Sequence, residues 1–380
     1  MYNPWRMVGE SWRCAREVRT ASGVPVRRQI GQLLTLRRTS GMSRAEYYLY
    51  RLWRPGLSLA ERLQYTTLRE RRLTELLRNP VVQGRRRIEG KTWGAQKMAA
   101  AGVPVPDHLA EIAVDAAAIA AGVPVVRTPD AFAAFLAAAP PEGLVIKPEH
   151  GFGGRGVLVV VAATRSGIVL ASGEHRPVAA VWRELTADPL ASWRLERRIL
   201  AHPVVAAWRP DTTPTVRLIT AVVDGQPVVH AGMMKVIRNP RGVDNFHAGN
   251  LAAGVDLLSG RIGPAVDPAG TQWFERHPDS GAPIAGIVIP DWPRYLAAAR
   301  AAAAQFEPLS SLGWDVAVSR DGPVILEANT SWEEIVQLPL DRGILHGAYA
   351  RLWRDVGAGW LLDRRERACP GWTGIATALE

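Results

Sequence analysis

From Leu144 onward the chain repeatedly runs through short apolar stretches punctuated by polar residues. These are LVIKP, VLVVVA, RLERRIL, TVRLITAVV, PVVHAGMMKVI, LAAGVDL, WDVAVS and PVILEAN, each of strand length and rich in β-branched residues. Asp224-Gly225 and Asp321-Gly322 lie between such runs, and this dipeptide suits tight hairpins, so antiparallel pairing is expected at both joints. One helical stretch, about 293 to 306, interrupts the strands. The first third reads as helical. Ser43 with Glu46 and Ser58 with Glu61 have capping-box spacing, and they lead into AEYYLYRLW and AERLQYTTLRERRLTELL, with Pro80 closing the second helix. Between 91 and 139 helices alternate with short apolar stretches, and Thr128-Pro129-Asp130 opens a helix. The section from about 339 to 362 is helical and leads into a Gly-, Pro- and Trp-containing tail. The pattern predicts an α+β fold without the regular βαβ alternation of a dinucleotide fold. Its expected divisions are 1–90, 91–140, 141–340 and 341–380.

Charge changes this picture in one region. Residues 1–90 hold 19 arginines and 7 acids, a balance of +12, while the remaining residues hold 27 basic and 29 acidic side chains, a balance of −2. Such a basic helical face suits an anionic membrane surface, an acidic partner or polymer, or plain solvent; nucleic acid is a less favoured partner. Arginine outnumbers lysine 42 to 4, which draws attention to the positions that kept lysine. No apolar run is long enough to span a membrane. The N-terminus has arginines and no signal-like apolar block, and Cys14 and Cys369 are the only cysteines, so a cytoplasmic protein without a thiolate metal site is expected.

The segment VIKPEHGFGGRGVLV places Gly151, Gly153, Gly154 and Gly156 between two strand-like runs. Glycines let a backbone approach phosphate oxygens closely and aim N–H groups at them. Walker and dinucleotide loops both open a helix, whereas a β-run follows here, so the loop reads as a hairpin flap over a triphosphate. Lys147, on the preceding strand, supplies a point charge. A mobile turn with an incidental lysine has the same wording.

Near the end of the strand region, Asp315 lies in WDVAVS and Glu327 and Asn329 lie in PVILEAN. Glu327 and Asn329 are two apart and project from one face, within reach of Asp315 on the partner strand. Three oxygen donors grouped in apolar β-sequence suit Mg²⁺, which takes a few protein oxygens and completes its shell with water and phosphate. Acids at strand ends without a ligand role are the plainer reading.

Taken in order, Lys91 followed by Gly102-Val-Pro-Val-Pro, VIKP with its glycines, LERRI, TVR, VDNFHAG, GWD and LEAN resemble the ATP-grasp superfamily, and most closely the sugar-transfer-associated family, distant relatives of the glutamate ligases. The likeness runs from about Arg44 to about Trp332. It implies two α+β lobes clasping ATP, with Lys91 and Lys147 on the phosphates, the glycine flap above them, and Glu196 with the backbone to Ile199 holding adenine and ribose. Asp315, Glu327 and Asn329 match its magnesium ligands, and Arg217 would stabilise an acyl phosphate or the tetrahedral species after it. Lys235, Arg238, Asp244, Asn245 and His247 are its candidate substrate contacts, His247 also a candidate base. Gly90 stands where relatives commonly carry Asp, and Asn250 where a second glycine is usual.

The activity implied is an ATP- and Mg²⁺-dependent ligase that joins a small-molecule, peptide or saccharide carboxylate to an amine through an acyl phosphate, in cell-surface polysaccharide or natural-product biosynthesis. A phosphotransferase of the same fold, or a non-catalytic ATP-binding protein with an anionic-polymer-binding arm, are the alternatives.

Overall fold

The computed structural model describes residues 4–80, 90–115, 120, 122–150, 155–239, 244, 246 and 249–372, with side chains from Arg13 onward. Two seven-stranded sheets organise it. The first holds β1 (His108–Ala113), β2 (Val125–Val126), β3 (Leu144–Pro148), β4 (Leu158–Ala163), β5 (Gly167–Leu170), β6 (His175–Pro177) and β7 (Ser192–Arg197) in the order 2-1-7-3-4-5-6. The second holds β8 (Thr215–Val223), β9 (Gln226–Val236), β10 (Leu251–Val255), β11 (Ile262–Val266), β12 (Trp273–Phe274), β13 (Ser311–Ser319) and β14 (Gly322–Asn329) in the order 12-11-10-9-8-13-14. The β1–β2 pair is parallel and the other named pairs are antiparallel.

The first hairpin joint forms as its sequence demands: Asp224 (φ 52°) and Gly225 (φ 72°) both take left-handed backbone. At the second, Gly322 already pairs with Ser319, so the turn itself is Arg320-Asp321. Ser319 holds it, accepting from the Asp321 amide and donating to the Gly322 carbonyl.

Helices at the N-terminus are α1 (Pro4–Ser22), α2 (Val26–Thr39), α3 (Arg44–Leu49), α4 (Leu59–Leu63) and α5 (Leu68–Arg78). Both expected capping boxes form. The single long helix expected after Ser58 is instead two, because Thr67 and Glu70 make a third capping box. Tertiary bonds hold the break: Arg365 takes the Leu63 and Tyr65 carbonyls, and Gln337 takes the Thr66 amide. The helix expected through AEYYLYRLW stops at Leu49, and Arg62 binds the Leu52 carbonyl beyond it.

The remaining helices used below are α6 (Lys91–Ala100), α7 (Pro129–Ala137), α8 (Val178–Leu185), α9 (Pro203–Ala206), α10 (Trp292–Ala303), α11 (Gln337–Leu340), α12 (Gly347–Asp355) and α13 (Gly359–Ala368). Thr128 caps α7 as its sequence indicates.

Alternation then divides each sheet into two unlike faces. In the first, Leu144, Ile146 and Leu195 join the core with Phe132 and Leu136 of α7 and Val181 and Leu185 of α8. In the second, Val216, Leu218, Met234, Trp314, Val316 and Ile325 pack with Tyr295 and Ala299 of α10. The opposite side of the second sheet buries Ile219, Ala221 and Met233 against the N-terminal and C-terminal helices, where Leu36, Tyr47, Leu63, Tyr349 and Trp353 form one core. Arg217, two residues from Ile219, and Lys235, two from Met233, share that side beyond this cover.

Candidate active site

β13 is the strand on which the charged side converges. Its Asp315 is paired with Arg217 of β8 on one flank and with Glu327 of β14 on the other. Arg217 binds the carboxylate with two hydrogen bonds, Nε to Oδ1 at 2.8 Å and Nη2 to Oδ2 at 2.6 Å. Lys235 Nζ lies 3.0 Å from the same Oδ2 and 3.5 Å from Asp244, whose carboxylate also accepts from Thr215. With its amide oriented to satisfy both ends, Asn329 donates to Glu327 Oε1 at 3.1 Å and accepts from Arg217 Nη2 at 3.3 Å. Lys235 and Asp315 are nearly buried, while Arg217, Glu327, Asn329 and Asp244 are half-buried. Burial works against the charge on Asp315, but Arg217 and Lys235 outweigh it and hold the carboxyl well below the usual range. Glu327 goes the other way, pushed up first by burial and then by the charge of Asp315.

That repulsion is what a bound cation would relieve, so the donor set fits magnesium. Two carboxylates and an amide leave the rest of an octahedral shell for water and phosphate. Among the described residues no group of three or more His, Cys, Asp or Glu is arranged to hold a metal.

The charged side of the first sheet carries a second buried network. Lys147 sits opposite Arg194 in the β3–β7 pairing, and Lys147 Nζ lies 2.8 Å from Glu196 Oε2. Arg194 holds the other oxygen at 2.8 to 2.9 Å and donates to Thr92 Oγ1 at 2.7 Å. Thr92, at the start of α6, gives both its hydroxyl (2.7 Å) and its amide (2.9 Å) to Glu149. Gly90 offers that helix no side-chain cap, so Glu149, reaching across from the end of β3, fills the role. Burial would raise Glu196, yet Lys147 and then Arg194 hold it low. Lys91 joins the two networks. It lies 3.5 Å from the Glu149 carbonyl; burial depresses its pKa, and the charge of Glu327 is the largest opposing influence.

Six sequence candidates, Arg217, Lys235, Asp244, Asp315, Glu327 and Asn329, therefore form one cluster, and Lys91, Lys147 and Glu196 gather around the second network. Glu196 spends both oxygens on Lys147 and Arg194. The Ile199 carbonyl accepts from Thr213 at 2.5 Å. Gly156 has left-handed backbone (φ 75°) and a side chain there would press on the Trp193 ring at 3.3 Å. Arg238 is engaged elsewhere, held by two bonds to the exposed Asp279. Asn250 clamps the chain after β9 by accepting from the Arg238 and Asn239 amides. Gly151, Gly153, Gly154, Asn245 and His247 lie outside the described residues.

Thr92, Glu149 and Arg194 were not foreseen. Their signal was available: Lys147 with Glu149, and Arg194 with Glu196, are charges two apart in strand-like sequence, the spacing that singled out Glu327 and Asn329.

The chain belongs to the sugar-transfer associated ATP-grasp family, which it matches over residues 79–350. No curated protein matches it. Among solved structures it is similar to N5-carboxyaminoimidazole synthase from Aspergillus clavatus (12% identity, 65% of this chain and 46% of that one, TM-score 0.37). It is also similar to D-alanine–D-alanine ligase from Bacillus anthracis (14%, 74% and 70%, TM-score 0.36) and biotin carboxylase from Campylobacter jejuni (13%, 81% and 52%, TM-score 0.39). The chain spans under half the length of the synthase, and likenesses this remote speak to no activity. Among the described residues no helix is long and apolar enough to cross a membrane.

Proposed function

We propose that the protein is an ATP-dependent carboxylate–amine ligase working through an acyl phosphate. The observation that carries this reading is the buried alignment of Arg217, Asp315 and Glu327 on three adjacent strands, with Lys235 against the same aspartate. A fold gains no stability from crowding Glu327 against the largely buried Asp315, so the arrangement has the character of a site built for a ligand.

On this reading Lys91 and Lys147 oppose the charge of the ATP phosphates, and the hairpin of β3 and β4 covers them. Asp315, Glu327 and Asn329 would hold magnesium, which when bound neutralises phosphate charge. The γ-phosphoryl group passes from ATP to an oxygen of the substrate carboxylate, releasing ADP. An amine then attacks the carbonyl carbon, the carbon–oxygen bond to phosphate breaks, and the amine proton leaves to solvent or to the departing phosphate. Asp315 fixes Arg217 through Nε and Nη2, which leaves Nη1 to meet the oxygen on which charge develops. No protein nucleophile is needed. Membership of the family favours a substrate from cell-surface polysaccharide or natural-product assembly.

The test is ATP turnover with magnesium across paired carboxylates and amines, with the nucleotide product identified. ADP and phosphate released only when both partners are present is the expected result. AMP would exclude an acyl phosphate, and ADP formation without any amine requirement would point to a phosphotransferase.

A further inference from the structure

Helix α5 is built inside out. The residues it buries are Glu70, Thr74 and Arg78, whereas Leu68, Leu73, Leu76 and Leu77 face water at 42% to 59% exposure. The inward polar residues have structural partners: Glu70 pairs with Arg365, and Arg78 lies beside Glu334 and over the Trp332 ring. Nothing comparable accounts for the outward leucines. Helix α2 repeats the theme, burying Gln29 and Thr39 beside Leu36 while exposing Ile30 and Leu34. Six of the ten large hydrophobic side chains exposed among the described residues thus belong to these two helices. The helices adjoin where Thr67, at the head of α5, bonds the Ser40 carbonyl after α2 and Arg69 packs on Gly41.

The charge around the leucines is predominantly positive, with one acid at its edge, Glu46, whose carboxylate accepts from the Leu68 amide. Arg27, Arg28, Arg37 and Arg38 are exposed on α2, which contains no acid, and Arg69 and Arg72 are exposed on α5. The acids of α5 are Glu70, committed to Arg365, and Glu75, which is half-buried. Apolar side chains ringed by arginine match the boundary of an anionic bilayer, where leucine enters the acyl region and arginine meets lipid phosphate. A nucleic acid would satisfy the arginines and leave the leucines in water. A second copy would bring arginine against arginine.

We propose that α2 and α5 form a face that docks the protein on an anionic membrane surface. The proposal rests on the N-terminal helices and is independent of the reaction at the active site.

The experiment is co-sedimentation of the full chain with vesicles of phosphatidylcholine alone or with about one-third phosphatidylserine. Binding is expected to the anionic vesicles only and to weaken as salt rises. The Leu73→Ser/Leu76→Ser double variant should lose affinity by about tenfold or more, since the apolar area it removes would otherwise leave water. An Arg69→Gln/Arg72→Gln variant should lose a comparable factor, since both arginines would meet lipid phosphate at such a surface. Neither pair lies in the core, so an unchanged thermal midpoint separates lost docking from lost folding. Failure to sediment with anionic vesicles would overturn the proposal, whether the face then proves idle or takes an acidic protein. Sedimentation unchanged by the leucine substitutions would overturn it as well, reducing the effect to attraction between polyions.

Discussion

Arg217 and Asp315 face one another across adjacent strands and share two hydrogen bonds, of 2.8 and 2.6 Å, with the aspartate largely buried and the arginine half-buried. Because Lys235 leans on the same aspartate as well as on Asp244, Asp315 is the carboxylate shared by both cations. Asp315 therefore holds the site together, while Glu327, its neighbour on the far side, strains it. Substitution should separate these roles.

Asp315→Ala leaves Arg217 without its two-bond partner and Lys235 with Asp244 alone, and breaking a buried pair in this way costs about 3 to 5 kcal/mol. The expected result is a large fall in the urea midpoint together with loss of turnover. An unchanged midpoint would mean that Arg217 and Lys235 find other partners.

Glu327→Gln should do the opposite to stability. The Glu327 carboxyl titrates above its ordinary range in the folded chain, so the folded state favours its neutral form and loses stability as pH rises through that folded value. Glutamine never ionises and escapes this loss. At neutral pH a gain on the order of 1 kcal/mol is expected, as is common where a strained functional group is removed. Turnover should vanish. Stability measured beside ATP hydrolysis checks both halves, and a destabilised but active variant would refute the assignment.

Two neighbouring buried histidines weaken the fold in acid. His230 of β9 stacks on Tyr349 and donates from Nε2 to the Ile344 carbonyl at 2.6 Å, with His346 5.2 Å away ring to ring. Burial, then the neighbouring His346, pushes His230 down to about 3; burial, then Arg342, pushes His346 down to about 4. An unfolded histidine takes up its proton near pH 6.5. Below that pH the unfolded chain binds more protons than the folded one, so stability falls as pH drops from about 6.5 towards 4. Each histidine contributes about 2 kcal/mol of that loss by pH 5. Denaturant midpoints measured across this range should show the decline, and His346→Gln should flatten part of it.

The same logic of burial joins the two ends of the described chain. Glu70 of α5 and Arg365 of α13 form a pair with exposures of 1% and 0%, and the arginine also binds the Leu63 and Tyr65 carbonyls. Glu70→Ala should cost about 3 to 5 kcal/mol. Replacing both partners with apolar residues should recover much of it, and a double-mutant cycle on thermal unfolding measures the difference.

How much of this was legible beforehand follows from the range of the interactions. Strands, the Thr128 cap and two capping boxes are local, decided by period and by residues three apart, and they were readable. The break between α4 and α5 combines a local cap at Thr67 with Arg365 and Gln337, about three hundred residues away, and the run of helix formers concealed it. At the site, Asp315, Glu327 and Asn329 stood out because acids interrupt apolar strands. Their juxtaposition with Arg217 depends on β8 and β13 being neighbours, and a long stretch of chain separates those strands. The charge spacing of Lys147 and Glu149 was readable, but the role of Glu149 was not, because its partner Thr92 becomes its neighbour only when α6 is docked beside β3.

That last contact makes a specific prediction about Lys91. Its helix starts at Gly90, which provides no cap, and Glu149 supplies the missing acceptor from the strand that also carries Lys147. The carboxylate therefore couples the backbone bearing Lys91 to the backbone bearing Lys147, the two lysines proposed to face the ATP phosphates. Glu149→Gln retains one acceptor oxygen but weakens the charge-assisted bonds to the Thr92 hydroxyl and amide, a loss of about 1 kcal/mol at the helix start. With Lys91 less firmly placed, the KM for ATP should rise several-fold while the nucleotide product stays the same. Gly90→Asp restores a cap from the usual position, so the Gly90→Asp/Glu149→Gln double variant should regain most of the ATP affinity. If Glu149 merely filled space, that rescue would not occur, and nucleotide titration of the two variants decides the matter.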